Sequence, residues 1–174
     1  MFEGLDLTKL YDTEDEYSQS YIFGELTDEL ISRAETNIGY KLPKSYIELL
    51  RFQNGGYISD DIDSWLTAIY GIGPEADTPN SLEDMFPNWI GDWEYPNIGI
   101  PFGETQSGGH DMYFMDFRNL DENGEPAIVL VDVEMDPEGE IKPVAKNLRE
   151  FIEKVLYDSK TGKWGEERLN EYYG

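Results

Sequence analysis

The chain has no cysteine and a single histidine, His110. Disulfides and thiolate metal centres are therefore excluded, and the absence suits a reducing compartment, so the expected location is cytoplasmic. Cations are scarce as well: Lys and Arg total 13 against 37 Asp and Glu, and none occurs between Arg51 and Arg118. A nucleic-acid binder needs cations to displace phosphate counterions, so no nucleic-acid partner is expected. No apolar run is long enough to cross a bilayer, and the opening MFEGLDLTKLYD has neither a basic nor an apolar signal region. No membrane partner and no export signal are expected. Internal repeats, low-complexity stretches and Pro/Ser-rich linkers are also missing, which leaves 174 residues for one domain with a sizeable core.

A net charge of −24 would by itself indicate disorder. Eight Phe, four Trp and twelve Tyr, together with periodic apolar stripes, indicate a folded and strongly acidic protein. In LPKSYIELLRFQNGG, residues 42–56, Pro43 suits a first helical position, and Tyr46, Ile47 and Leu50 share one helical face. Gly55 or Gly56 then supplies the left-handed residue that ends many helices, and Tyr57 and Ile58 begin an extended segment. Upstream, Thr27 caps a helix through Ile38 with Leu30, Ile31, Ala34 and Ile38 on one stripe, Leu26 stapling onto Ile31 and Gly39 as the stop.

Residues 65–72 read as a strand ended by Gly73-Pro74, and Ser81 with Asp84 caps a short helix toward Trp89. Gly99 and Pro101 reduce 98–103 to an edge or irregular strand. Residues 112–117 and 127–133 are the firmest strands, with turn chemistry at 121–125 between them and again at 136–140 before a strand at 141–145. Asn147 caps the clearest helix, with Leu148, Phe151, Ile152, Val155 and Leu156 on one face. The pattern predicts a single α+β domain whose antiparallel or mixed sheet has about 4–6 strands, with helices packed mainly on one face. Residues 1–25 read as an acidic arm, packed or frayed, and 157–174 as an extension with a short helix around 166–172.

A second compact signature, Ser107-Gly108-Gly109-His110-Asp111, runs straight into Met112-Tyr113-Phe114. The helix ending at Gly39, the LP-x-x-Y helix with its NGG stop, the segment Ala68-Ile69-Tyr70-Gly71-Ile72-Gly73, the G-G-H-D element and the last helix follow one another in an order that resembles the SUKH superfamily. The resemblance covers residues 26–156. That superfamily holds immunity proteins of bacterial polymorphic toxin systems and a fungal cell-wall regulator. It implies a bacterial, non-enzymatic immunity protein that binds and neutralises a cognate toxin, or alternatively an intracellular scaffold or regulatory module.

The residues themselves offer little chemistry. Adjacent positions entering a strand point to opposite faces, so His110 and Asp111 are poorly placed as an acid–base dyad, and no catalytic residue is assigned. Asp60-Asp61-x-Asp63 and 121–125 hold oxygen ligands without completing a calcium loop, so neither a metal nor a cofactor is expected. The lysine-free stretch carries Asp60, Asp61, Asp63, Glu75, Asp77, Glu83, Asp84, Asp92, Glu94, Glu104, Asp111 and Asp116, which predicts one anionic side suited to a basic partner such as a nuclease toxin. Trp93 and Tyr95, interleaved with Asp92 and Glu94, supply the aromatic anchors such an interface needs, whereas Trp89 is expected to pack inward. The expected contact set is therefore Asp60, Asp61, Asp63, Asp92, Trp93, Glu94, Tyr95, His110 and Asp111, on a monomer or weak dimer.

Overall fold

The computed structural model describes residues 1–134 and 140–157. After a 3-10 turn at Leu7–Lys9 come helices α1 Glu16–Gln19, α2 Asp28–Ile38 and α3 Lys44–Phe52, then strands β1 Gly56–Tyr57 and β2 Leu66–Ile69. Helix α4 Leu82–Pro87 continues as a π-helical turn, Asn88–Asp92, and is followed by β3 Gly99–Thr105, β4 Asp111–Leu120, β5 Pro126–Asp132, β6 Glu140–Ala145 and α5 Leu148–Tyr157. The six strands form one sheet in chain order, each antiparallel to the next. This is the α+β architecture read from the sequence, and the sheet is antiparallel rather than mixed. Most of the expected turn at 136–140 and the short helix at 166–172 lie outside the described residues.

Helix α5 forms as its stripe requires. Asn147 accepts from Glu150 N at 2.9 Å, and Leu148, Phe151, Ile152, Val155 and Leu156 are all buried. Phe151 meets the rings of Phe102 on β3 and Tyr113 on β4, at 5.6 and 4.8 Å between centroids. Tyr46 on α3 reaches the same Phe102 at 6.2 Å and donates its hydroxyl to the Tyr70 carbonyl, so α3 and α5 share one face of the sheet. On β4 the next residue, Phe114, points to the other face. There Tyr95 stacks on it at 5.6 Å, so the stretch after the π-turn covers part of that face.

Three readings of local structure change. Pro43 is the residue before α3 rather than its first helical position, with ψ at 146°. No side chain of its own caps that helix; instead the buried Glu125, from the β4–β5 turn, accepts from Ser45 N at 3.2 Å and from the Ser45 hydroxyl. A carboxylate at a helix N-terminus satisfies an orphan N–H and meets the positive end of the helix dipole. The buried face of α3 is Ser45, Tyr46, Leu49 and Leu50, with Ile47 only half-buried.

The glycines of NGG do not end α3 either: Gln53, in extended conformation, does. Gly55 follows at φ +87°, where a Cβ would strike the Tyr21 carbonyl and the Gly71 backbone. Asn54 explains the motif. Its side chain is buried, donates to the Gly24 and Ile72 carbonyls at 2.9 and 2.8 Å, and accepts from Ile72 N at 2.8 Å, locking the N-terminal segment to the end of β2. The N-terminal residues are accordingly packed: Phe2, Leu10, Tyr11 and Tyr21 enter the core, and Tyr11 bridges to Ile58.

Residues 98–103, expected at an edge, lie in the middle of the sheet as β3, between β2 and β4. The register shifts between Pro101 and Gly103. A bulge absorbs a proline that cannot donate to the ladder. Its second consequence is to re-aim the strand, because Glu104 then falls opposite Ala68 on β2 and Met112 on β4.

Candidate protein-contact face

The connections β1–β2, β3–β4 and β5–β6 all leave the same end of the sheet, since Leu66 pairs with Thr105, Asp111 with Asp132, and Asp132 with Glu140. That end gathers Asp60, Asp61 and Asp63 on the first connection, His110 on the second and Glu134 on the third. Asp60, Asp61 and Asp63 are exposed. Asp60 and Asp61 line an open groove of about 570 Å³ with Asp6, Asp12 and Glu14 from the N-terminal segment, over a floor that includes Tyr11, Ile62 and Leu156. Among the described residues, Lys9 is the only cation lining it. The acids are thus brought together from segments far apart in sequence, and the N-terminal contribution was not anticipated.

Trp93 and His110 meet at the same end. Their rings contact edge to face at 6.0 Å, Trp93 is 38% exposed, and Glu134 Oε1 lies 2.5 Å from His110 Nδ1. Gly109 makes this corner possible. At φ +102° its Cα faces Trp89 and Trp93, and a Cβ there would come within 3.1 Å of the Trp89 ring. Tyr95 donates to the Gly109 carbonyl at 2.5 Å and so fixes the turn from beneath. The G-G-H-D element is therefore a seat for two tryptophans.

From this corner an unbroken belt of aromatic side chains crosses the sheet. Trp93 touches Trp89 at 5.4 Å, and Trp89 Nε1 donates to the Tyr70 hydroxyl at 2.9 Å. Tyr70 lies nearly parallel to Tyr21 at 6.4 Å, Tyr21 meets Tyr57 at 4.8 Å, and Tyr57 meets Tyr17 at 5.4 Å. The middle of the belt is buried, while its ends are exposed, Tyr17 by 65%. Glu104 sits at its centre, accepting from the Tyr70 hydroxyl at 2.6 Å and the Tyr21 hydroxyl at 3.2 Å. Burial raises the Glu104 carboxyl above its ordinary pKa, and burial together with the neighbouring Glu104 raises both tyrosines.

Two members of the expected contact set are withdrawn by burial. Asp111 is fully buried, accepting from Trp65 Nε1 at 3.1 Å and the Thr105 hydroxyl at 2.5 Å. Its carboxylate therefore turns away from His110, which faces Glu134 and Trp93, and the two form no dyad. Tyr95 is 2% exposed and packs inward, as Trp89 does. Asp92, Trp93 and Glu94 remain on the surface, Glu94 at φ +57° in the left-handed region.

The lysine-free stretch is consequently not one anionic side. Glu83 is held by Arg33 at 2.6 Å and by Asn37, Asp116 by Arg118 at 2.9 Å, and Asp111 and Glu104 by neutral donors. Of these four, Glu83, Asp111 and Asp116 are buried and Glu104 is half-buried. The exposed remainder divides between the sheet end and the loop carrying Glu75 and Asp77.

Tyr17, Tyr21, Tyr57, Tyr70 and Glu104 were not singled out from the sequence. Only the run of tyrosines on the polar N-terminal segment hints at them, because a ring there needs a surface to pack on. Among the described residues no three His, Cys, Asp or Glu side chains converge to hold a metal ion, and no helix is long and apolar enough to cross a membrane. A family model described as the SMI1 / KNR4 family (SUKH-1) matches residues 25–154. No curated protein matches the chain.

Proposed function

The chain belongs to the SMI1/KNR4 (SUKH-1) family, the match spanning about three quarters of its length, and from that premise we propose that it is an immunity protein that binds and neutralises a cognate, basic toxin without catalysing a reaction. The observation that supports this reading is that one end of the sheet carries the exposed Asp60, Asp61 and Asp63 together with the exposed Trp93 and the half-buried His110. Carboxylates around an open groove speed encounter with a cationic protein, and an aromatic anchor at the same end of the sheet slows its departure. A nuclease fits best among basic toxins, because its substrate is itself a polyanion and the acids would pair with the cations that hold it. The partly apolar floor of the groove gives such a toxin a surface to bury once the charges have met.

Co-expression tests the reading. A basic toxin from the chain's own host is induced in cells that carry or lack the chain; growth restored by the chain supports immunity. Unrestored growth, with the chain instead co-purifying with components of its own cell that are not toxins, would overturn it in favour of the scaffold role that the fungal branch of the family exemplifies.

A further inference from the structure

Among the described residues, the buried acids Glu83, Asp111, Asp116, Glu125 and Asp132 and the half-buried Glu104 invite comparison. Glu83 and Asp116 each have an arginine, and Glu104 has none: its partners are the hydroxyls of Tyr21 and Tyr70. The Tyr21 hydroxyl is shared between the two Glu104 oxygens at 3.2 and 3.3 Å, while Tyr70 bonds Oε1 alone at 2.6 Å. A carboxylate offers about four acceptor sites, so Oε2 retains capacity. The residue is only half-buried, in a sheet position whose cross-strand neighbours Ala68 and Met112 are fully buried. Burial without a cation is unfavourable for a carboxylate, as its raised pKa reflects. Tyr21 and Tyr70 meet it through their hydroxyls and are buried, whereas the ring of Tyr57, packed against Tyr21, is only half-buried and offers an aromatic face rich in π-electron density.

A carboxylate with a free lone-pair side, ringed by tyrosines, matches one chemistry. The guanidinium group is planar, stacks on aromatic faces, is weakly hydrated and pairs with carboxylate through a fork of N–H donors. We propose that Glu104, with Tyr21, Tyr57 and Tyr70, forms a socket for an arginine side chain of the protein partner. The proposal rests on the contact reading above and adds the residue chemistry that the partner must present. Docking an arginine would supply the cation that Glu104 lacks and would extend the contact from the sheet end along the aromatic belt.

The probe is N-acetyl-arginine methylamide, titrated into the full chain labelled with 13C, with the Glu104 carboxyl and tyrosine ring resonances followed. A saturable shift of both is expected, absent for the citrulline analogue, which keeps the shape without the charge. Glu104→Gln should weaken binding by about tenfold or more, the scale of one charge-assisted pair. Tyr57→Ala, which leaves the described Glu104 bonds in place but removes a ring of the socket, should also weaken binding and provides the arm that tests the socket if Glu104→Gln fails to fold; undiminished binding by a folded Tyr57→Ala chain would overturn it. Equal shifts with citrulline, equal binding by the capped lysine, or undiminished binding by a folded Glu104→Gln chain would each overturn the socket. So would saturation only in step with self-association measured by sedimentation, which would make a second copy the occupant. The growth assay is separate: a socket that binds arginine in a chain that rescues no toxin would leave this inference standing and the immunity reading fallen.

Discussion

The two faces of the sheet use aromatic residues in opposite ways. Beneath α3 and α5, Phe151 meets the rings of Phe102 and Tyr113, and all three are sealed from water. Across the sheet, Tyr21, Tyr57, Tyr70, Trp89 and Trp93 bind through hydroxyls and an indole N–H as much as through ring packing, enclose a carboxylate, and run out to solvent at both ends. The first face makes the fold stable; the second has the polar handles and partial exposure of a surface that meets another molecule.

The sharpest way to break this comparison is to truncate one ring on each side. Phe151→Ala should lower unfolding free energy by about 3–5 kcal/mol in urea titration, because it removes a buried ring and leaves a cavity. Trp93→Ala, at an exposed end of the belt, should cost about 1 kcal/mol or less on the same scale. Comparable losses would mean that the belt is core and no more.

The acids divide in the same way. Asp111→Ala removes the carboxylate that accepts from the Trp65 indole N–H and from Thr105, whose hydroxyl keeps Ser107 and the residue 111 carbonyl, and a loss of about 1–3 kcal/mol is expected. Asp61→Ala, on the surface, should stay within about 0.5 kcal/mol. Denaturation of the two variants side by side checks the difference.

A smaller effect isolates Glu104. With its carboxyl raised above the ordinary glutamate value, the folded chain holds a proton that the unfolded chain has already released, across the interval between the two values. The stability linked to this group is therefore complete below the unfolded value and declines as pH rises through the folded one. Glu104→Gln lacks that decline, so the difference between wild type and variant should grow in the variant's favour across the same interval. A pH-independent difference would show that burial does not perturb this carboxyl.

How much of this was legible follows from how local each signal is. Helix α5 declares itself because five apolar residues at helical spacing and an Asn cap lie within one short window, and Thr27 and Gly39 bracket α2 in the same way. Strand β3 was misplaced because Pro101 and Gly99 read as breakers, and a single bulge, invisible in sequence, admits them to the centre of the sheet. The candidate site divides similarly. Asp60, Asp61, Asp63 and Trp93 stand out by charge and size, whereas the tyrosines of the belt are scattered from residue 17 to residue 70 and meet only through topology. Charge counting also misled, because a carboxylate's type does not say whether it faces water: Glu83 and Asp116 carry arginines that lie outside the lysine-free stretch or at its end.

Association kinetics with the cognate toxin test the central claim most directly, the claim being that the acidic sheet end is the surface on which the partner first lands. Rates measured by stopped flow across ionic strength should fall steeply with salt for the wild-type chain. Replacing Asp60, Asp61 and Asp63 together by Ala should slow association by about tenfold at low salt and flatten that dependence. An unchanged rate at low salt, with the same salt slope, would contradict the account.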